Sequence, residues 1–164
     1  MSHTENTSPI LVGVDGSEPS IDALRRAATI AIALETPIEA VTTWEYPMMN
    51  DGYYPDGWSP ENDAELILEA AVGTAFPDGA PADLRRTILH GSTARVLIDY
   101  SETASMLVLG SRGRGGFAGL LLGSVSAACA AHAHCPVLVM HQSAQRIPHG
   151  EDRDERDHRP RTTG

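Results

Sequence analysis

Six glycines and two arginines are gathered between Gly110 and Ser124, in a 164-residue chain that concentrates such groups nowhere else. The segment reads Gly110-Ser-Arg112-Gly113-Arg114-Gly-Gly-Phe-Ala-Gly-Leu-Leu-Leu-Gly123-Ser124-Val125-Ser126. Glycine lets a loop backbone approach a ligand closely and turn its amides inward. The first amides of a helix lack internal partners and carry partial positive charge, so an anion is stabilised there. Arg112 and Arg114 can add charge-assisted hydrogen bonds. A second chemical group is Asp15, which closes the apolar run Pro9-Ile-Leu-Val-Gly13-Val-Asp15. A carboxylate at the carboxyl end of a strand stands where open α/β sheets bind ligands. The same residue type equally suits a turn or a helix cap.

Two elements must hold the glycine segment. Met106-Leu-Val-Leu109 is a short apolar run of the kind a buried strand makes. From Ser124 the chain turns alanine-rich, which favours a helix. The loop therefore hangs between a strand and a helix N-terminus and forms an anion cradle. A Walker loop is excluded, because the chain has no lysine. Gly113-x-Gly115-x-x-Ala118 imitates a dinucleotide fingerprint, but that pattern belongs after the first strand with an acid about 20 residues on.

The spacing Gly110-x2-Gly113-x9-Gly123-Ser124, followed by Cys135-Pro-Val-Leu-Val, resembles the nucleotide-binding signature of the universal stress protein family in its ATP-binding branch. The resemblance covers residues 9–141. It implies a five-stranded, mostly parallel open sheet with helices on both faces, Rossmann-like and close to the adenine nucleotide alpha hydrolase type. It implies ATP as ligand, with or without Mg2+. Asp15 would contact the nucleoside, and Gly13, two positions earlier, would line the adenine pocket. Thr43, at the end of the second strand, stands where the family usually places an apolar residue against adenine. Leu109, Gly110, Arg112, Gly113, Gly123, Ser124 and Val125 complete the expected nucleotide-binding set. The implied role is a nucleotide-dependent sensor or regulator in stress response, a weak ATPase at most. Family members of this kind dimerise through the last strand, here residues 136–141, opened by Pro136 and closed by His141.

The rest of the chain alternates strand and helix, which means a parallel sheet covered on both faces. A helix follows Asp15, with Ser17 or Ser20 as its cap, and runs to about Leu34; Ile21, Leu24, Ala28, Ala31 and Ile32 form its apolar side. Pro37 to Trp44 is a second strand, and Trp44 fits either the core or a pocket wall. Residues 45–59 form a loop with three tyrosines and a tryptophan, long enough to imply a functional or mobile segment. Ser59-Pro60-Glu61 opens a helix to about Phe76, with cap, leading proline and first-turn acid. Residues 84–90 read as a third strand, and Ser92 or Thr93 caps the next helix. Residues 1–8 and the charged stretch 142–164 read as a disordered leader and tail around a single domain of residues 9–141.

Composition removes other functions. A formal net charge of −10 argues against nucleic acid and anionic membrane surfaces as partners. No apolar run reaches the ~20 residues of a membrane-spanning helix, and the first residues are polar, so a cytoplasmic protein is expected. Cys129 and Cys135 are the only cysteines, both in apolar surroundings, and read as reduced thiols. His132, His134, Cys135 and His141 lack the spacing of a zinc site. Ser124 and Ser126 have no nucleophile elbow and no assignable base, so no catalytic residue is assigned. The alternatives are a phosphohydrolase of the same fold, or a nucleotide-free dimeric interaction module.

Overall fold

The computed structural model describes residues 8–48, 54–114 and 121–141. The leader up to residue 7, the tail from residue 142, and parts of the loops at 49–53 and 115–120 lie outside the described residues. Five strands and four helices alternate: β1 (Ile10–Gly13), α1 (Glu18–Leu34), β2 (Ile38–Trp44), α2 (Pro60–Ala75), β3 (Arg85–His90), α3 (Thr93–Tyr100), β4 (Met106–Gly110), α4 (Ser124–His132) and β5 (Val137–Met140). A 3-10 turn, Ser101–Thr103, extends α3. The strands lie in the order β3-β2-β1-β4-β5, and all four pairings are parallel. The chain builds outward from β1 in one direction, then crosses to β4 and continues in the other. This doubly wound order leaves a crevice at the carboxyl ends of β1 and β4, the topological switch point.

The helices start where their caps say. Ser17 is the cap of α1: its Oγ accepts from the Ser20 amide at 3.4 Å, with proline in the first turn. Ser59 does the same for α2, accepting from Asn62 N at 3.3 Å. α1 ends because Glu35 enters the left-handed region at φ 51°. Its buried stripe is Ala23, Leu24, Ala27, Ala28 and Ala31, whose small side chains let the helix lie close to the sheet. Ile32 was expected on that stripe but is 76% exposed, because it falls past the stripe's edge in the last turn. Ser92 stands at the start of α3 without a side-chain capping bond, and Thr93 lies inside the helix, so neither expected cap forms there.

Alternation along the strands divides the core in two. Ile10, Val12, Ile38, Ala40 and Val108 face α1 and α2, and pack with Leu24, Leu68 and Val72. Leu11, Val41, Leu107 and Leu109 face the other way, toward Leu97 of α3 and Cys129 of α4. This second layer also contains a buried carboxylate. Glu39 of β2 accepts from Thr87 Oγ1 at 2.6 Å and Tyr100 Oη at 2.9 Å, and Arg85 Nη2 stands 3.1 Å away. A buried charge is tolerated only when paired and hydrogen-bonded, and these three partners supply both conditions while tying β3 and α3 to β2.

Candidate functional site

A cleft of about 570 Å3 opens at the switch point, within the size range of small-molecule sites. It has a polar end and an apolar end.

The polar end is built around Ser111. Its amide donates to the Met140 carbonyl of β5 at 2.7 Å, which hangs the start of the glycine loop on the last strand. Its own carbonyl accepts from the Gly123 amide at 2.6 Å and the buried Ser126 hydroxyl at 2.9 Å. The two ends of the loop are thus clasped side by side. α4 begins at this clasp with Gly123 in the cap position and no side-chain cap, so the amides of its first turn open into the cleft. Arg112 and Arg114 line the same end, and neither is in an ion pair among the described residues.

The glycines differ in why they are glycine. A Cβ on Gly110 would lie 2.7 Å from Pro19 Cβ and 2.8 Å from the Pro19 carbonyl carbon, so β4 ends against the first turn of α1. A Cβ on Gly113 would lie 2.5 Å from Asp15 Oδ2. At Gly123 the nearest atom would be 3.5 Å away, an ordinary contact, and a side chain there would occupy cleft space.

Asp15 joins the loop to α1. Its Oδ1 accepts from the Ser17 amide at 3.0 Å and the Ser17 hydroxyl at 2.6 Å, and its Oδ2 accepts from the Arg114 amide at 2.8 Å. Burial alone would raise the carboxyl pKa. The bonds from Ser17 and Arg114 outweigh it and hold the group below its ordinary value of 3.8, so it is ionised at neutral pH. The turn role open in the sequence is therefore filled, and the same carboxylate also faces the cleft.

The apolar end lies under β2 and α3. Val41, Leu97 and Leu109 are buried around Gly13, and Val125 closes the side nearest α4. Gly13 leaves no room for a side chain, since a Cβ there would collide with Leu109 and come within 3.1 Å of Leu97. Thr43 Oγ1 and Thr93 Oγ1 are hydrogen-bonded to each other at 2.6 Å on this wall.

All ten residues singled out in the sequence, Gly13, Asp15, Thr43, Leu109, Gly110, Arg112, Gly113, Gly123, Ser124 and Val125, line this one cleft. Trp44 does not. Its ring meets His90 edge-on at 4.5 Å and Tyr46 at 5.7 Å, and Tyr46 continues to Tyr54 and Trp58, giving the described part of the 45–59 loop a small aromatic core. Among the described residues no group of three or more His, Cys, Asp or Glu is placed to hold a metal ion. Nor is any described helix long and apolar enough to cross a membrane.

The sequence profile of the universal stress protein family matches residues 6–141. The chain belongs to this family. Universal stress protein Rv2623 of Mycobacterium tuberculosis is 32% identical over 162 residues, covering 91% of this chain and 52% of the relative. Universal stress protein Rv2005c of the same organism is 34% identical over 161 residues, covering 90% of this chain and 52% of the relative. The chain thus spans about half the length of the curated relatives it matches. Among solved structures, a universal stress protein in complex with cAMP is 30% identical with a TM-score of 0.63, over 83% of this chain and 98% of that one. The universal stress protein of Archaeoglobus fulgidus in complex with dAMP is 25% identical with a TM-score of 0.59, over 80% and 96% of the two chains.

In this universal stress protein, six cleft residues escaped the reading of the sequence as a site: Val14, Val41, Thr42, Ile67, Thr93 and Leu97. The rule that ligands meet the carboxyl ends of strands points to Val41, and the turn after β3 points to Thr93. Ile67 sits midway along an ordinary amphipathic helix, and no local signal marks it.

Proposed function

We propose that this universal stress protein domain binds an adenine nucleotide, ATP in the first place, and works in the cytoplasm as a nucleotide-dependent sensor or regulator of the stress response. One observation carries the reading. The uncapped N-terminus of α4 meets two arginines that make no ion pair among the described residues, at one end of a cleft whose other end is apolar. A phosphate chain suits the first end and a purine ring the second. Relatives solved with cAMP and dAMP support the adenine part. Hydrolysis is slow or absent in this reading, because among the described residues Asp15 is the only acidic one lining the cleft, no histidine lines it, and Asp15's oxygens already accept three hydrogen bonds. With one such carboxylate, any Mg2+ would be held mainly by the phosphates and water.

The same reading makes the protein a homodimer. β5 is an edge strand of Val137, Leu138, Val139 and Met140, all half-buried and free of charge or proline, and such an edge accepts another strand. Native mass spectrometry of the purified protein with added ATP tests both claims. The expected species is a dimer with one adenine nucleotide per chain. A protein that takes up no adenine nucleotide overturns the ligand, and a monomer at tens of micromolar overturns the dimer.

A further inference from the structure

The apolar end of the cleft has a polar feature that an aliphatic pocket for a ring does not require. Thr42, Thr43 and Thr93 all reach this wall. The buried Thr42 hydroxyl is already committed, donating to the Val14 carbonyl at 2.9 Å. Among the described residues, the hydroxyls of Thr43 and Thr93 bond only each other, at 2.6 Å. A hydroxyl carries one donor and two acceptor positions. In a bonded pair one proton is used internally, so the pair still offers one O–H donor and open lone pairs. Both groups come from rigid positions, the end of β2 and the first turn of α3, and they sit beside the buried Val41 and Leu97. The pair itself is exposed at the cleft mouth, so its free donor and lone pairs are open to an incoming ligand.

We infer that the Thr43–Thr93 hydroxyl pair reads the edge of the bound base, donating to a ring nitrogen and accepting from the exocyclic amine beside it. Thr43 and Thr93 thereby become specificity-determining residues together. The inference rests on the nucleotide reading above and deepens it. It concerns only the base edge: the ligand class is a nucleotide whose base presents a donor next to an acceptor, as adenine does. A purine lacking the amine would leave the pair's acceptor side without a partner. Because the two hydroxyls share a proton, they act as a unit, and losing either should weaken recognition as much as losing both.

Calorimetric titration with ATP and with purine riboside 5′-triphosphate, which lacks the amine, tests this. The wild type should prefer ATP by about three- to tenfold, the range of one hydrogen bond. Thr93→Val and Thr43→Val should each erase that preference, and the double variant should lose no more. Thr93→Ser keeps the hydroxyl and should restore the preference, which separates lost recognition from a disturbed α3; thermal melts check that each variant folds. A wild type that binds both nucleotides equally, or a preference that survives in Thr93→Val, overturns the inference while leaving nucleotide binding in place. A wild type that binds neither overturns both.

Discussion

The two faces of the sheet divide their labour unequally. On the α1/α2 face sixteen residues form the buried cluster, and only Val14 among them touches the cleft. On the α3/α4 face the buried cluster is Leu11, Val41, Leu97, Leu107, Leu109 and Cys129, and Val41, Leu97 and Leu109 are cleft wall. One face therefore stabilises the sheet without reference to the site. The other has to hold the sheet and shape a ligand's surroundings with the same side chains. A domain built this way can vary its first core without touching the cleft, whereas changes at Val41, Leu97 or Leu109 of the second also alter the ligand's surroundings.

The largest effect expected from this division is a separation of stability from binding. Leu68 is 1% exposed on the α1/α2 face, and Leu68→Ala should lower unfolding free energy by about 2–5 kcal/mol with ATP affinity unchanged. Leu97 is equally buried on the other face, and Leu97→Ala should lose stability in the same range and weaken ATP binding by roughly tenfold as well. Urea denaturation and titration on both variants decide the matter. Equal affinities in the two would break the comparison.

A smaller effect sharpens it within the glycine loop. Gly110→Ala places a methyl against the Pro19 backbone and should cost about 1–3 kcal/mol of stability. Gly123→Ala meets nothing closer than 3.5 Å and should stay within about 0.5 kcal/mol of the wild type, its effect falling on phosphate affinity instead. A strongly destabilised Gly123→Ala would show that this glycine serves packing, as Gly110 does.

The smallest effect concerns Asp15, which bonds α1's turn to the loop. Its folded pKa lies below 3.8, so its ionised form contributes stability that is fully present above that value. The contribution is lost as pH falls through the folded pKa. The stability gap between wild type and Asp15→Asn, measured by denaturation from pH 7 downward, should be constant to about pH 4 and then narrow. A gap that widens with acid would contradict the hydrogen-bond pattern.

The elements were largely legible in the chain because local signals agreed with one another. Ser59-Pro60-Glu61 announces α2, and the apolar runs at β1 and β4 end in glycine where the strands end. The glycine spacing located the polar end of the cleft for the same reason, since backbone approach leaves its mark in residue type. The apolar end was less legible. Val41 and Leu97 look like any core residue until the sheet order places them beside Gly13. Thr93 looked like a cap, and its link to Thr43 joins residues fifty positions apart. The ambiguity of Trp44 had the same origin: its partner His90 comes from β3, through the register of an edge strand.

The clasp at Ser111 bears on how the loop between it and Gly123 can change over evolutionary time. Its two ends are held together by bonds to the sheet and to α4, so the intervening chain closes a ring whatever its length. The entropy of closing such a ring grows only logarithmically, by about 0.6 kcal/mol for each doubling. Insertions or deletions there would scarcely register in the stability of the domain. A change in the number of residues between Arg114 and Gly123 should therefore show in ligand affinity before it shows in stability.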